Sequence, residues 1–208
     1  MKIQDGVDSV ISDIQEAGLT NIVLVGNSMA GLTMPGVAAG LADSIAHLVF
    51  SSCTVPADDQ QALCVLRPDI QKILRSIEAL VTSGQLRLPV TDDPNEGLTP
   101  AAELIGDDAG AALRNFTEDP IRRQSPDTRS VLYEHFSFAG FPPDTPRTYI
   151  KNLQDRMVPP ALQDEIIVNL GGARVVERDT PHCPALSHPN ELATVLNGIM
   201  AELQGSDR

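Results

Sequence analysis

Residues 21–31 read NIVLVGNSMAG: an apolar, β-branched run, then a serine set among small residues. The run lacks polar alternation, so it predicts a strand buried on both faces, as in a parallel sheet. Met29 to Leu41 is small and apolar and predicts a helix, which Pro35 and Gly36 should kink or shorten. Ser28 therefore falls on the turn between a strand and a helix. Gly26-Asn27-Ser28-Met29-Ala30 is a relaxed form of the GxSxG pattern, in which the serine occupies a sharp, strained turn and projects its hydroxyl from the sheet edge. Residues two positions either side come close together, which restricts them to Gly or Ala. The Met29 N–H would then lie at a helix N-terminus, placed to donate to an oxyanion. A tight turn with an idle serine is the plainer alternative.

Upstream, Val7, Val10, Ile11 and Ile14 fall on one helical face, and Gly18 suits the residue that stops that helix. Downstream, IAHLVFSS (45–52), RTYIK (147–151) and GARVVE (172–177) predict three more strands. A helix over Pro159–Leu170 closes at Gly171 and Gly172, and a last helix begins around Pro189, with Leu192, Val195, Leu196 and Ile199 on its apolar face. Helices alternating with strands imply a parallel sheet with helices on both faces.

Between the second and third strands lies a long insert, about Pro56 to Pro146. It holds a helical stretch over Asp69–Thr82, the turn-rich TDDPNEG (91–97) and a helix start at LTPAAELIG (98–106). A connection this long inside one domain is usually functional. It reads as a cap over a site, or else as a second small domain. The expected organisation is core (1–55), cap or lid (56–146) and core (147–208).

Composition narrows the partners. The 208 residues carry a formal net charge of −13. That disfavours nucleic acid and anionic membranes, which reward clustered Lys and Arg. Neither a signal peptide nor an apolar run long enough to span a bilayer is evident. The three cysteines, Cys53, Cys64 and Cys183, form no CxxC pair, which suits reduced thiols in the cytoplasm. No metal-ligand spacing is present, so neither metal nor cofactor is expected.

A serine nucleophile needs a base, and the base needs an acid to orient it. Of the four histidines, His47 lies within a strand, His135 in the insert and His188 at a helix start. His182, on the loop after the fourth strand, is the best placed base. Asp155, just past the third strand, is the best placed acid; Asp179 lies too near His182 in the chain to be an easy partner. Cys183 beside His182 invites a Cys–His reading, but adjacent loop residues rarely point at each other.

The order Ser28, Asp155, His182 is that of α/β-hydrolases. The stretches NIVLVGNSMAG, LVFSSCTVPADDQ, PRTYIKNLQDRMVPPALQ and ERDTPHCPALSHPNELATVL come in the order and spacing of that superfamily. The chain most resembles its small esterases and hydroxynitrile lyases. The resemblance implies Ser28 as nucleophile, Asp155 as acid, His182 as base and a small-molecule ester as substrate. Asn27 stands where the family usually has His or another residue, Pro181 where it usually has Gly, and Cys183 where the lyases carry a lysine, whose absence favours ester hydrolysis. A full member opens with further strands and an HG-type segment that supplies a second oxyanion N–H; none precedes Val7. The expectation is an N-terminally truncated α/β-hydrolase core whose first strand is an open apolar edge. Another chain, or self-pairing in a homodimer, would cover that edge. The competing expectations are a catalytically silent remnant, a small-molecule binding module, and a C–C lyase or hydrolase.

Overall fold

The computed structural model describes residues 2–85, 106 and 128–206. The elements are α1 (Ile3–Glu16), β1 (Ile22–Asn27), a 3₁₀ turn (Ser28–Leu32), α2 (Met34–Gly40), β2 (Ile45–Ser51), α3 (Pro68–Thr82), β3 (Arg147–Asn152), α4 (Pro160–Leu170), β4 (Arg174–Arg178), α5 (Pro184–Ser187) and α6 (Pro189–Ser206). The four described strands form one sheet in the order β1-β2-β3-β4. All three pairings are parallel.

Period-2 alternation sorts the central strands between two layers. Leu48 and Phe50 of β2 and Tyr149 of β3 face a core built with Met34 and Ala38 of α2 and Ile166 and Leu170 of α4. Val49 and Ile150 face the other way, onto Val195 and Ile199 of α6. Burying each such side chain is worth roughly 1.5–3 kcal/mol. Helix α1 lays Val7 and Ile14 against Val37 of α2. The contact is close because α2 offers glycines there: a Cβ on Gly36 would stand 2.7 Å from Val7, and one on Gly40 2.6 Å from Ile11. Gly18 takes φ +63° just past α1, as a helix-stopping glycine does.

Three expectations need correction. First, β1 is only half-buried, with Val25 42% exposed. Val23 packs toward α6 and Ile22 and Leu24 toward α1 and α2, so both faces are partly covered; β1 pairs with β2 on one side and is the edge of the sheet among the described residues, as expected, which leaves its cover incomplete. Second, the chain leaves β1 as a 3₁₀ turn, not as an α-helix; the turn closes at Thr33, whose hydroxyl donates to the Ala30 carbonyl (3.0 Å). The break precedes Pro35, which fits the first turn of α2 where no amide is needed. Third, β4 begins at Arg174, two residues later than expected, because Gly171 and Gly172 both hold positive φ in the turn before it.

Within the insert, Leu63, Leu74, Leu132 and Tyr133 form a separate small cluster with one side of α3. TDDPNEG and all but the last residue of LTPAAELIG lie outside the described residues.

Candidate active site

The C-terminal ends of β1, β3 and β4 gather the expected residues at one edge of the sheet. Ser28 follows β1 directly and holds φ +57°, a left-handed conformation rare for any residue but glycine. The small neighbours make that turn fit. A Cβ on Gly26 would run into the Met34 thioether and stand 2.9 Å from the Ala30 methyl; one on Gly31 would run into the Thr54 carbonyl. The turn is held from outside as well, since the Thr54 N–H donates to the Ser28 carbonyl (2.9 Å).

Asp155 sits in the turn after β3. Its Oδ1 accepts from the N–H groups of Met157 (2.8 Å) and Val158 (2.9 Å). That leaves Oδ2 to take the Nδ1–H of His182 at 2.7 Å. Both side chains are buried, at 0% and 2% exposure. A carboxylate can only accept, so Nδ1 is the nitrogen that donates to Asp155, which leaves Nε2 turned away from it. Pro181 does not spoil this geometry despite its fixed φ. Among the described residues no hydrogen bond joins the Ser28 hydroxyl to the imidazole, and such contacts are often long before substrate binds.

Carboxamides hold the two loops. Gln163 of α4, wholly buried, donates to the carbonyls of Asn152 and Val158 (both 2.8 Å) and accepts from the Asn152 N–H (3.0 Å). It thereby spans the turn that carries Asp155. Asn27 donates to the carbonyls of Ser51 (2.8 Å) and His182 (2.9 Å). Asn152 adds a longer contact to the His182 carbonyl (3.5 Å) and accepts from the Thr180 hydroxyl (3.1 Å). Sequence reading missed these residues. Gln163 is the sole polar residue on the buried face of α4, and an apolar-face pattern interrupted by a carboxamide is the only trace it leaves.

The other candidates stand elsewhere. His47 is buried on the α6 side of the sheet with Nε2 2.9 Å from the Thr148 hydroxyl. Burial, then Arg174, hold its pKa below the usual imidazole value. His135 lies against Asp59, and His188 against Ser187. Asp179 accepts from Gln154 (3.0 Å). Burial pushes the Cys183 thiol up to about 11, with Asp155 adding to the effect, so it is protonated at neutral pH and directed to Asn27 Oδ1 (3.5 Å). That arrangement removes the Cys–His reading. Among the described residues no cluster of His, Cys, Asp and Glu could hold a metal ion.

The model of the alpha/beta hydrolase family matches residues 3–195. The chain belongs to that family. Its membership makes it a hydrolase by descent, and its sheet of parallel strands flanked by helices is the family's fold. Solved structures agree on the fold. An extracellular alpha/beta-hydrolase from a Paenibacillus species, described as sharing structural and functional homology with tobacco salicylic acid binding protein 2, superposes with a TM-score of 0.70 at 19% identity, covering 94% of this chain and 78% of that one. A thermophilic esterase from Thermogutta terrifontis gives 0.63 at 16% identity, covering 98% and 73%. Polyneuridine aldehyde esterase gives 0.60 at 16% identity, covering 96% and 80%. No curated protein matches the sequence. No helix among the described residues is long and apolar enough to cross a membrane.

Proposed function

We propose that this chain is a serine hydrolase that cleaves carboxylic esters of small molecules. The observation that carries the reading is the buried Asp155–His182 pair at the same sheet edge as the left-handed Ser28. In this reading His182 Nε2 takes the Ser28 proton as Oγ attacks the ester carbonyl. Asp155 keeps the imidazole in the required tautomer and stabilises the imidazolium. The Met29 N–H, first in the turn after the nucleophile, donates to the oxyanion. His182 then protonates the departing alcohol, water attacks the acyl-serine, and the acid is released. Because Met29 lies in a five-residue 3₁₀ turn and not an α-helix, its own N–H matters more than any helix dipole.

The insert acts as a cap in this reading. Gly106 supports it: a Cβ there would stand 3.7 Å from the Pro181 ring, one residue from the base. Met29, 37% exposed, would form part of the pocket floor. Cytoplasmic placement is supported by the three free cysteines. A homodimer through the half-exposed edge of β1 is a further reading; a light-scattering mass of one chain would remove it.

The test is intact-mass labelling with a fluorophosphonate probe, which needs no knowledge of the substrate. One adduct on the parent and none on Ser28→Ala is the expected result. The second reading, a silent binding module, draws on the missing Ser28–His182 hydrogen bond. It predicts no adduct on a folded parent chain.

A further inference from the structure

Asn27 is the residue before the nucleophile, and nothing in the reaction requires its side chain. Yet that side chain uses both of its donors. One N–H goes to the Ser51 carbonyl at the end of β2 (2.8 Å), the other to the His182 carbonyl (2.9 Å). Its oxygen takes the Cys183 thiol at 3.5 Å. The amide thus joins the nucleophile's strand, the neighbouring strand and two successive residues of the base's loop.

The chain has few other ways to set that spacing. Ser28 and His182 lie far apart in sequence, and the described sheet places β2 and β3 between β1 and β4. Strand pairing fixes β1 against β2 through the Asn27–Ser51 register. The loop after β4 has no strand pairing to hold it. Beyond the Gln154 N–H, which donates to the Thr180 carbonyl (3.1 Å), it hangs on side chains: Asp155 on the imidazole, Thr180 on Asn152, and Asn27, with a longer contact from Asn152 (3.5 Å), on the main chain of His182 itself.

We infer that Asn27 is a positioning residue, which sets the imidazole of His182 over Ser28 by holding the His182 main-chain carbonyl. The inference rests on the Ser28–His182–Asp155 reading and adds the device that aligns it. A carboxamide is required because the two targets are both carbonyl oxygens. An aspartate of the same shape would set its carboxylate against them, and alanine would remove both short bonds, leaving the His182 carbonyl the longer Asn152 contact (3.5 Å). Misplacement of a catalytic group by about 1 Å costs on the order of 10²-fold in rate.

The experiment compares the parent with Asn27→Ala and Asn27→Asp in the full chain. The rate constant of fluorophosphonate labelling is read from pH 5 to 9, together with thermal melting and the NMR resonance of the His182 Nδ1–H. Both variants should label about 10²-fold more slowly at pH 8. Asn27→Asp should recover toward low pH relative to Asn27→Ala, as its carboxyl gains a proton and can donate again. A merely structural role would not bend the pH profile this way. If Asn27→Ala fails to fold, the isosteric Asn27→Asp carries the test. Variants that keep the parent's labelling rate and Nδ1–H resonance overturn the inference while leaving the triad intact. If the parent itself never labels at Ser28, the triad reading falls and the resonance decides the positioning role: unchanged in the variants, it overturns that too; shifted or broadened, it supports it.

Discussion

The left-handed turn at Ser28 predicts that this serine is held against its own conformational preference. A non-glycine residue in this region costs roughly 1–2 kcal/mol. Replacing it with glycine removes that cost but also enlarges the unfolded ensemble, which offsets about 0.4–1 kcal/mol. The net is about 1 kcal/mol in favour of Ser28→Gly over Ser28→Ala, since alanine keeps the Cβ and the strain but loses the hydroxyl. For a chain of this size that is about 2–4 °C in Tm. The comparison to make is calorimetric or urea unfolding of the two variants, both of which should be inert to the probe. Asn21 serves as a control, because it holds a similar φ of +54° and asparagine tolerates that region; Asn21→Gly should gain much less. If Ser28→Gly melts at or below Ser28→Ala, the turn stores no strain and the argument from φ is wrong.

Three further outcomes are expected. Asp155→Asn keeps the shape of the buried pair but lets the imidazole adopt the wrong tautomer; probe labelling should slow by about 10³–10⁴-fold with little change in Tm. Gly31→Ala drives a methyl into the Thr54 carbonyl, with the Cys53 Cβ at 2.9 Å; neither is the free end of a flexible side chain, so unfolding should show a loss of about 1–3 kcal/mol. The folded protein disfavours charge on His47 relative to its usual pKa of 6.5, through burial and Arg174, with Glu202 opposing. Stability from this group is therefore full above about pH 6.5 and falls as acid charges the unfolded chain. In urea midpoints between pH 7 and 5, His47→Asn should show a shallower pH slope than the parent.

Local patterns carried most of the fold into the sequence. The Val7–Ile14 spacing, the closing glycines Gly18 and Gly171 and the apolar runs of the central strands depend on neighbours within a few residues. The positions of Asp155 and His182 were legible because loops after parallel strands must open at one edge. What escaped depends on partners distant in the chain. The 3₁₀ start at Ser28 follows from the crowding of Gly26, Ala30 and Met34, which only the folded turn reveals. Asn27 and Gln163 read as ordinary polar residues because their targets, the His182 and Asn152 carbonyls, carry no side-chain signature at all.

The proposed nucleophile, Ser28, comes from the first third of the chain and the proposed acid–base pair, Asp155 and His182, from the last third. The Met157 and Val158 amides, Gln163, Asn152 and Thr180, which brace the pair, also lie beyond residue 128. A backbone cut anywhere from 86 to 127 would therefore yield one fragment with the serine and another with its complete activating pair. Neither fragment could turn over an ester alone, whereas rejoining the β2–β3 seam would bring the two together. The architecture thus lends itself to a split reporter, in which covalent labelling of Ser28 registers the meeting of whatever two proteins the halves are fused to.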